Sequence, residues 1–205
     1  MARASDPLFR THHALRIKGF ATVDTVAEVS GHDTPTVDDH LRDLQARGLT
    51  QFREARALWQ LTADGKAAHA EALAADVAGA DLVALRPTYT VFLGINDDFK
   101  LLCTDWQLRD GAPNDHTDTG YDATIIERFV ALDAAAQPVA GTLGDHFDRL
   151  AGYAPRLAGS LRKVVDGETK MLTGVMCGSY HDVWMELHED LILTQGIDRA
   201  KEGSF

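Results

Sequence analysis

The sequence predicts a mainly α-helical fold broken, in its first third, by one short β-hairpin. Three observations lead there. Apolar residues recur at helical spacing over most of the chain. Capping residues stand where several of those stripes begin. Two short stretches, Leu49–Arg53 and Ala57–Leu61, flank a turn at Glu54-Ala55-Arg56 and read as paired strands.

Taken in order, Leu8, His12, Leu15 and Gly19 share one side of a first helix. Thr22 or Asp24 starts a second, with Val23, Val26, Ala27 and Val29 apolar. Ser30-Gly31-His32 is a turn. Asp33 or Thr34 caps a third helix, and Pro35 suits its first turn. Val37, Leu41 and Leu44 form its inward stripe, and Gly48 ends it. After the hairpin, Thr62 caps a helix that runs to about Ala78. Gly79 marks a boundary, dividing the chain into domains 1–79 and 80–205. Beyond it the chain reads as all-helical, with helices near 81–108, 120–136, 138–150, 153–166 and 179–195. Pro138 is expected to separate two of them, because proline removes a helical hydrogen bond.

Composition narrows the function. The 205 residues carry a net charge of −11, which argues against a non-specific nucleic-acid coat. Residues 1–79 hold nine Lys and Arg against eleven Asp and Glu, so most of the acidity lies later. No apolar run approaches the ~18–20 residues of a membrane span, and no signal-peptide pattern is present. Cys103 and Cys177 form no metal or redox motif. A cytoplasmic protein with reduced thiols is expected.

The order helix, helix, turn, helix, hairpin, helix defines a winged helix-turn-helix with a two-stranded wing, followed by a helical bundle. Residues from about 11 to 75 resemble the DNA-binding domain of MarR-type bacterial regulators. The resemblance rests on Thr22–Gly31, on Thr36–Leu49 and on Leu61-Thr62-Ala63-Asp64-Gly65. It covers roughly a third of the chain. The remainder resembles the tails of uncharacterised actinobacterial proteins labelled as regulators. The resemblance implies that the third helix enters the major groove of double-stranded DNA while the wing meets backbone. Arg42 then faces a guanine edge or a phosphate, and Asp39 can accept from a cytosine amino group. Thr34 and Thr36 donate to phosphate at the helix start, and Arg53 and Arg56 reach DNA from the wing. Asp38, Asp39 and Asp43 depart from the polar or basic residues usual on this helix, and several aspartates repel phosphates.

In the second half, Leu85, Tyr89, Phe92, Asn96, Phe99, Cys103 and Trp106 make one seam alternating by four and three. It requires a partner helix within the chain or in a second copy, and a homodimer is expected. Tyr180, Trp184, Leu187, Leu191 and Thr194 form a similar seam, with Asp182, Glu186, Glu189 and Asp190 on a solvated flank. Tyr89, Asn96, Trp106, Trp184 and His188 are candidates to line a pocket for a small-molecule effector, against a plain bundle core. Asp115, His116, Asp118, His181 and His188 are candidate metal ligands, although Asp115, Asp118 and Asp122 suit turns and helix starts equally well. No GxSxG, HExxH, Walker or GxGxxG motif appears, so neither catalysis nor a cofactor is expected. Ser179 reads as a helix cap rather than a nucleophile. The expected function is DNA-binding transcriptional regulation. The alternatives are a winged-helix protein-interaction module without DNA binding, and a metal-dependent enzyme or sensor.

Overall fold

The computed structural model describes residues 2–198. Among them are nine α-helices and a three-stranded antiparallel sheet. No helix among the described residues is long and apolar enough to cross a membrane. The chain forms two compact units.

Among the described residues the first unit comprises 2–82, Gly144–Gly152 and Glu189–Ile197. It is not one continuous run of chain, because two later stretches join its opening segment. Asp6 caps α1 (Pro7–Lys18) by accepting the Phe9 N–H at 2.9 Å. β1 (Phe20–Ala21) follows, a strand absent from the sequence reading because two residues show no period. Thr22 caps α2 (Val23–Ser30), and Gly31 ends it in the left-handed region at φ 71°. Asp33 caps α3 (Thr34–Ala46), whose buried residues are Val37, Leu41 and Leu44 as the stripe requires. β2 (Thr50–Arg53) and β3 (Leu58–Leu61) flank a single 3₁₀ turn at Glu54–Arg56. β1 pairs with β3 and β3 with β2, all antiparallel. Thr62 caps α4 (Ala63–Val77).

Leu15, Val26, Val37, Leu41, Trp59 and Leu61 form the apolar centre of this unit. Each such side chain contributes about 1.5–3 kcal/mol by leaving water. α1 differs from its expected stripe. Leu8 is half-buried and Gly19 is an exposed cap, whereas Phe9, Thr11, His12, His13, Ala14 and Leu15 are all buried. The helix is central, touching α2, α3 and α4, so its polar residues need partners inside. Thr11 Oγ1 meets His40 Nδ1 at 2.8 Å, and His12 Nε2 donates to the Gly65 carbonyl at 2.9 Å. A Cβ at Gly65 would stand 1.8 Å from the Leu49 carbonyl oxygen, so only glycine fits there.

The two added stretches are held by charge. Arg149 is buried and donates to both Asp76 (3.2 Å) and Asp190, and its other terminal nitrogen reaches Thr194 Oγ1 at 2.7 Å. His13 Nε2 lies 3.0 Å from Asp190, and His13 Nδ1 lies 2.9 Å from His69 Nε2. Burial opposes the charge of Asp190, but Arg149 and then His13 outweigh it and hold the carboxyl below the usual aspartate range. Burial, reinforced by His13 and His12, pushes His69 down to about 2.

The second unit includes Val83–Leu143 and Tyr153–His188. α5 (Arg86–Gln107) starts five residues after the expected position, with Pro87 in its first turn. A two-residue hairpin, β4 (Leu108–Arg109) with β5 (Ala112–Pro113), interrupts what was expected to be wholly helical. α6 (Thr119–His146) is one helix, correcting the division expected at Pro138. Interior proline costs about 3 kcal/mol. Leu132, Ala136, Ala140 and Leu143 are buried on both sides of it and offset that cost. α7 (Tyr153–Val165), the short α8 (Lys170–Thr173) and α9 (Tyr180–Gln195) complete the helices among the described residues. α6 and α9 each supply residues to both units.

Two outcomes follow. Gly65→Ala should destabilise by the upper end of the about 1–3 kcal/mol of an overpacked site or more, read by urea unfolding. On acidification, stability should fall first as pH drops below about 6.5, because His12 and His69 are held neutral when folded and protonate when unfolded. It should fall further below about 3.9, where Asp190 stays ionised only in the folded chain. Chemical denaturation over a pH series checks both steps. His69→Gln should flatten the upper one and Asp190→Asn the lower.

Candidate functional site

The outward side of α3 carries Thr34, Asp38, Asp39, Arg42 and Asp43, in part exposed and in part half-buried. Its charges are largely answered locally. Arg42 Nε donates to Asp38 at 2.7 Å, and Arg47 donates to Asp43 at 3.2 Å, each one helical turn apart. Thr34 Oγ1 donates to Asp24 at 3.2 Å, and Thr36 gives its backbone N–H to the Asp33 cap at 2.9 Å. Asp39 is exposed. These five residues, with Arg47, present nearly balanced charge, three carboxylates against two guanidiniums.

Arg53 and Arg56 bracket the turn between β2 and β3, and both are exposed. They line an open hollow of about 310 Å³ together with Phe20, Ala55 and Gln60. A second hollow, of about 330 Å³, shares Phe20 and Gln60 and adds Arg16 and Lys66.

The seam expected on α5 is buried along its length, from Leu85 to Trp106. Its partner lies within the same unit. Phe92 and Phe99 each stack on Trp184 at 4.9 Å, and Phe99 meets Phe129 edge-on. The seam therefore no longer calls for a second copy. Asn96 Oδ1 accepts from Trp184 Nε1 at 2.9 Å, which satisfies both polar groups in the core. His188 packs on Phe92 and Tyr89. Tyr89, Asn96, Trp184 and His188 thus converge, but they fill one another's space, and the gap beside Phe92 and Trp184 has no room for a water molecule. Trp106 stands apart and packs on His116 at 4.5 Å.

The candidate metal ligands are not brought together. His116 Nδ1 pairs with Asp122 at 2.9 Å, and Asn114 donates to Asp122 at 3.0 Å. Asp115 accepts from Thr117, and Asp118 caps α6 through the Tyr121 N–H. His181 stacks on Phe99, and His188 is core. Among the described residues no group of three or more ligating side chains could hold an ion. Ser179 accepts the Asp182 N–H at 3.1 Å, as a helix cap does. Both cysteines are free, and burial pushes the Cys103 thiol up to about 12.

The solvated flank expected on α9 is corrected. Glu186 and Asp190 are buried, and Asp182 accepts from the backbone of Cys177 and Gly178. Glu186 pairs with Arg156 at 2.6 Å. Sequence reading missed this because a carboxylate on a helix shows nothing of its distant partner. The available signal was Leu191-Ile192-Leu193 beside Asp190, which leaves that helix little polar surface.

Compared with models of known protein families, with curated proteins and with solved structures, the chain matches none.

Trp184→Phe should leave the Asn96 oxygen buried without its donor. The expected cost is about 1–3 kcal/mol, measured by urea unfolding, and Asn96→Leu in the same background should recover part of it.

Proposed function

We propose that the first unit is a winged helix-turn-helix of MarR type and that the protein is a DNA-binding transcriptional regulator. One observation carries the reading. The order α1, β1, α2, α3, β2, β3, α4, with the sheet ordered β1-β3-β2, supplies a helix-turn-helix followed directly by a hairpin. α3 is the recognition helix. Thr34, Thr36, Asp39 and Arg42 face the groove, and Arg53 and Arg56 meet phosphate from the wing. The protein acts in the cytoplasm as a homodimer, because a two-fold symmetric reader matches a palindromic site. With the α5 seam closed inside its own unit, exposed Val91 and Leu101 elsewhere on α5 are among the apolar residues available for pairing. An effector would enter by parting Trp184 from Asn96.

A second reading has its own support. Arg42 and Arg47 already pair with Asp38 and Asp43, which suits a helix that contacts protein and has lost DNA.

Selection of bound duplexes from a random pool tests the first reading. A recovered, roughly palindromic site is expected, together with a dimer by light scattering. Arg42→Ala should weaken binding roughly tenfold or more and relax preference at one base position. Asp43→Asn should raise duplex affinity at low salt, where the Debye length is about 30 Å. An empty selection with both variants folded and unchanged would favour the protein-contact reading.

A further inference from the structure

The sheet of the first unit has an inner and an outer face. Ala21, Trp59, Leu61 and Thr50 are buried and face the core. Alternation puts their neighbours Phe20, Gln60 and Gln51 on the other side. The register sets these three in one row, Phe20 opposite Gln60 and Gln60 opposite Gln51. Phe20 is 45% exposed.

The two open hollows meet at this row. Each is about 300 Å³, at the lower end of the range of ligand sites. Arg53 and Arg56 line one, and Arg16 and Lys66 line the other. Among the described residues, no carboxylate lines either hollow, in a chain whose net charge is −11. Arg16 is shared with Glu189 at 3.3 Å, and turning the Gln60 amide over would let its oxygen accept from Arg53 at 2.9 Å. An exposed ring between two pairs of cations is the arrangement that holds unpaired nucleotides: bases stack on the ring while the cations follow the phosphates. In a duplex the base faces are already stacked on one another, which leaves this ring without a partner.

We infer that the outer face of the β1-β3-β2 sheet binds a short stretch of single-stranded nucleic acid, with Phe20 as the stacking platform and Arg53, Arg56, Arg16 and Lys66 on its phosphates. This surface shares the wing arginines with the proposed duplex interface but uses neither α3 nor its aspartates, so it stands or falls separately.

The test is fluorescence polarisation of the full chain with a short labelled oligothymidylate, a mixed-sequence duplex and inorganic polyphosphate, each at low and moderate salt. The oligothymidylate should bind, more weakly as salt rises. Phe20→Ala and Phe20→Leu should each weaken it roughly tenfold or more, since leucine keeps apolar bulk but has no ring face. Arg53→Gln with Arg56→Gln should lower affinity and flatten the salt dependence. Polyphosphate binding should be insensitive to Phe20. Circular dichroism and urea midpoints confirm that the variants are folded. No oligothymidylate binding at low salt, or binding unchanged in both folded Phe20 variants, overturns the inference. So does a duplex that binds more tightly than oligothymidylate and loses as much on Phe20→Ala. Arg42→Ala separates the two readings: it should weaken duplex binding alone. If it leaves duplex binding unchanged while the Phe20 effect persists, the α3 reading fails and this one holds.

Discussion

The first unit depends on one buried cation. Arg149 is enclosed between Asp76 and Asp190, with Thr194 on one side and His13 on the carboxylate it shares. Those side chains come from four separate stretches of chain. A buried ion pair adds little net stability, because desolvation consumes most of its attraction. What it imposes is specificity: removing one member leaves uncompensated charge in the interior at a cost of several kcal/mol. Closing the unit as observed brings the 144–152 and 189–197 stretches together with α1 and α4. The histidines belong to the same arrangement. His13 bridges Asp190 and His69, so α1, α4 and α9 are joined by one line of polar contacts through an otherwise apolar interior.

This constraint also changes how the chain divides. A boundary near Gly79 treats the first third as self-sufficient. The ion cluster takes Asp76 from α4 but draws Asp190 from α9 and its guanidinium from the turn after α6. α9 supplies Trp184 to the aromatic core of the second unit and Asp190 to the ionic core of the first. One continuous helix thus carries a residue essential to each.

Charge distributes unevenly over the surface of the first unit. On α3 the guanidiniums and carboxylates lie one turn apart and satisfy each other, so the field they project is small. Beside Phe20 and Gln60 of the sheet, four cations line two hollows that have no carboxylate among their described lining residues. The acidity of α3 that stands out in the sequence is therefore partly cancelled by its own arginines. The positive surface arises where residues far apart in sequence are gathered: Arg16 from α1, Arg53 and Arg56 from the hairpin and Lys66 from α4.

Local signals were enough for much of the fold. Thr22, Asp33 and Thr62 each cap the helix they precede, because a side-chain oxygen three residues ahead of an amide acts within a single turn. Val37, Leu41 and Leu44, and the α5 seam from Leu85 to Trp106, are buried as their periods require. The period of α3 also puts Asp39 and Arg42 outward, and both are exposed. Whatever needed a distant partner was decided by tertiary structure. β1 exists only because Gln60 pairs with Phe20. Pro138 stays inside α6 only because its flanks are buried. Asp190 is an interior ion rather than a solvated one only because Arg149 meets it. A carboxylate, a proline and a two-residue strand each have an intrinsic preference of a few kcal/mol at most. Burial against the rest of the chain outweighs it, and no window of sequence contains that neighbour.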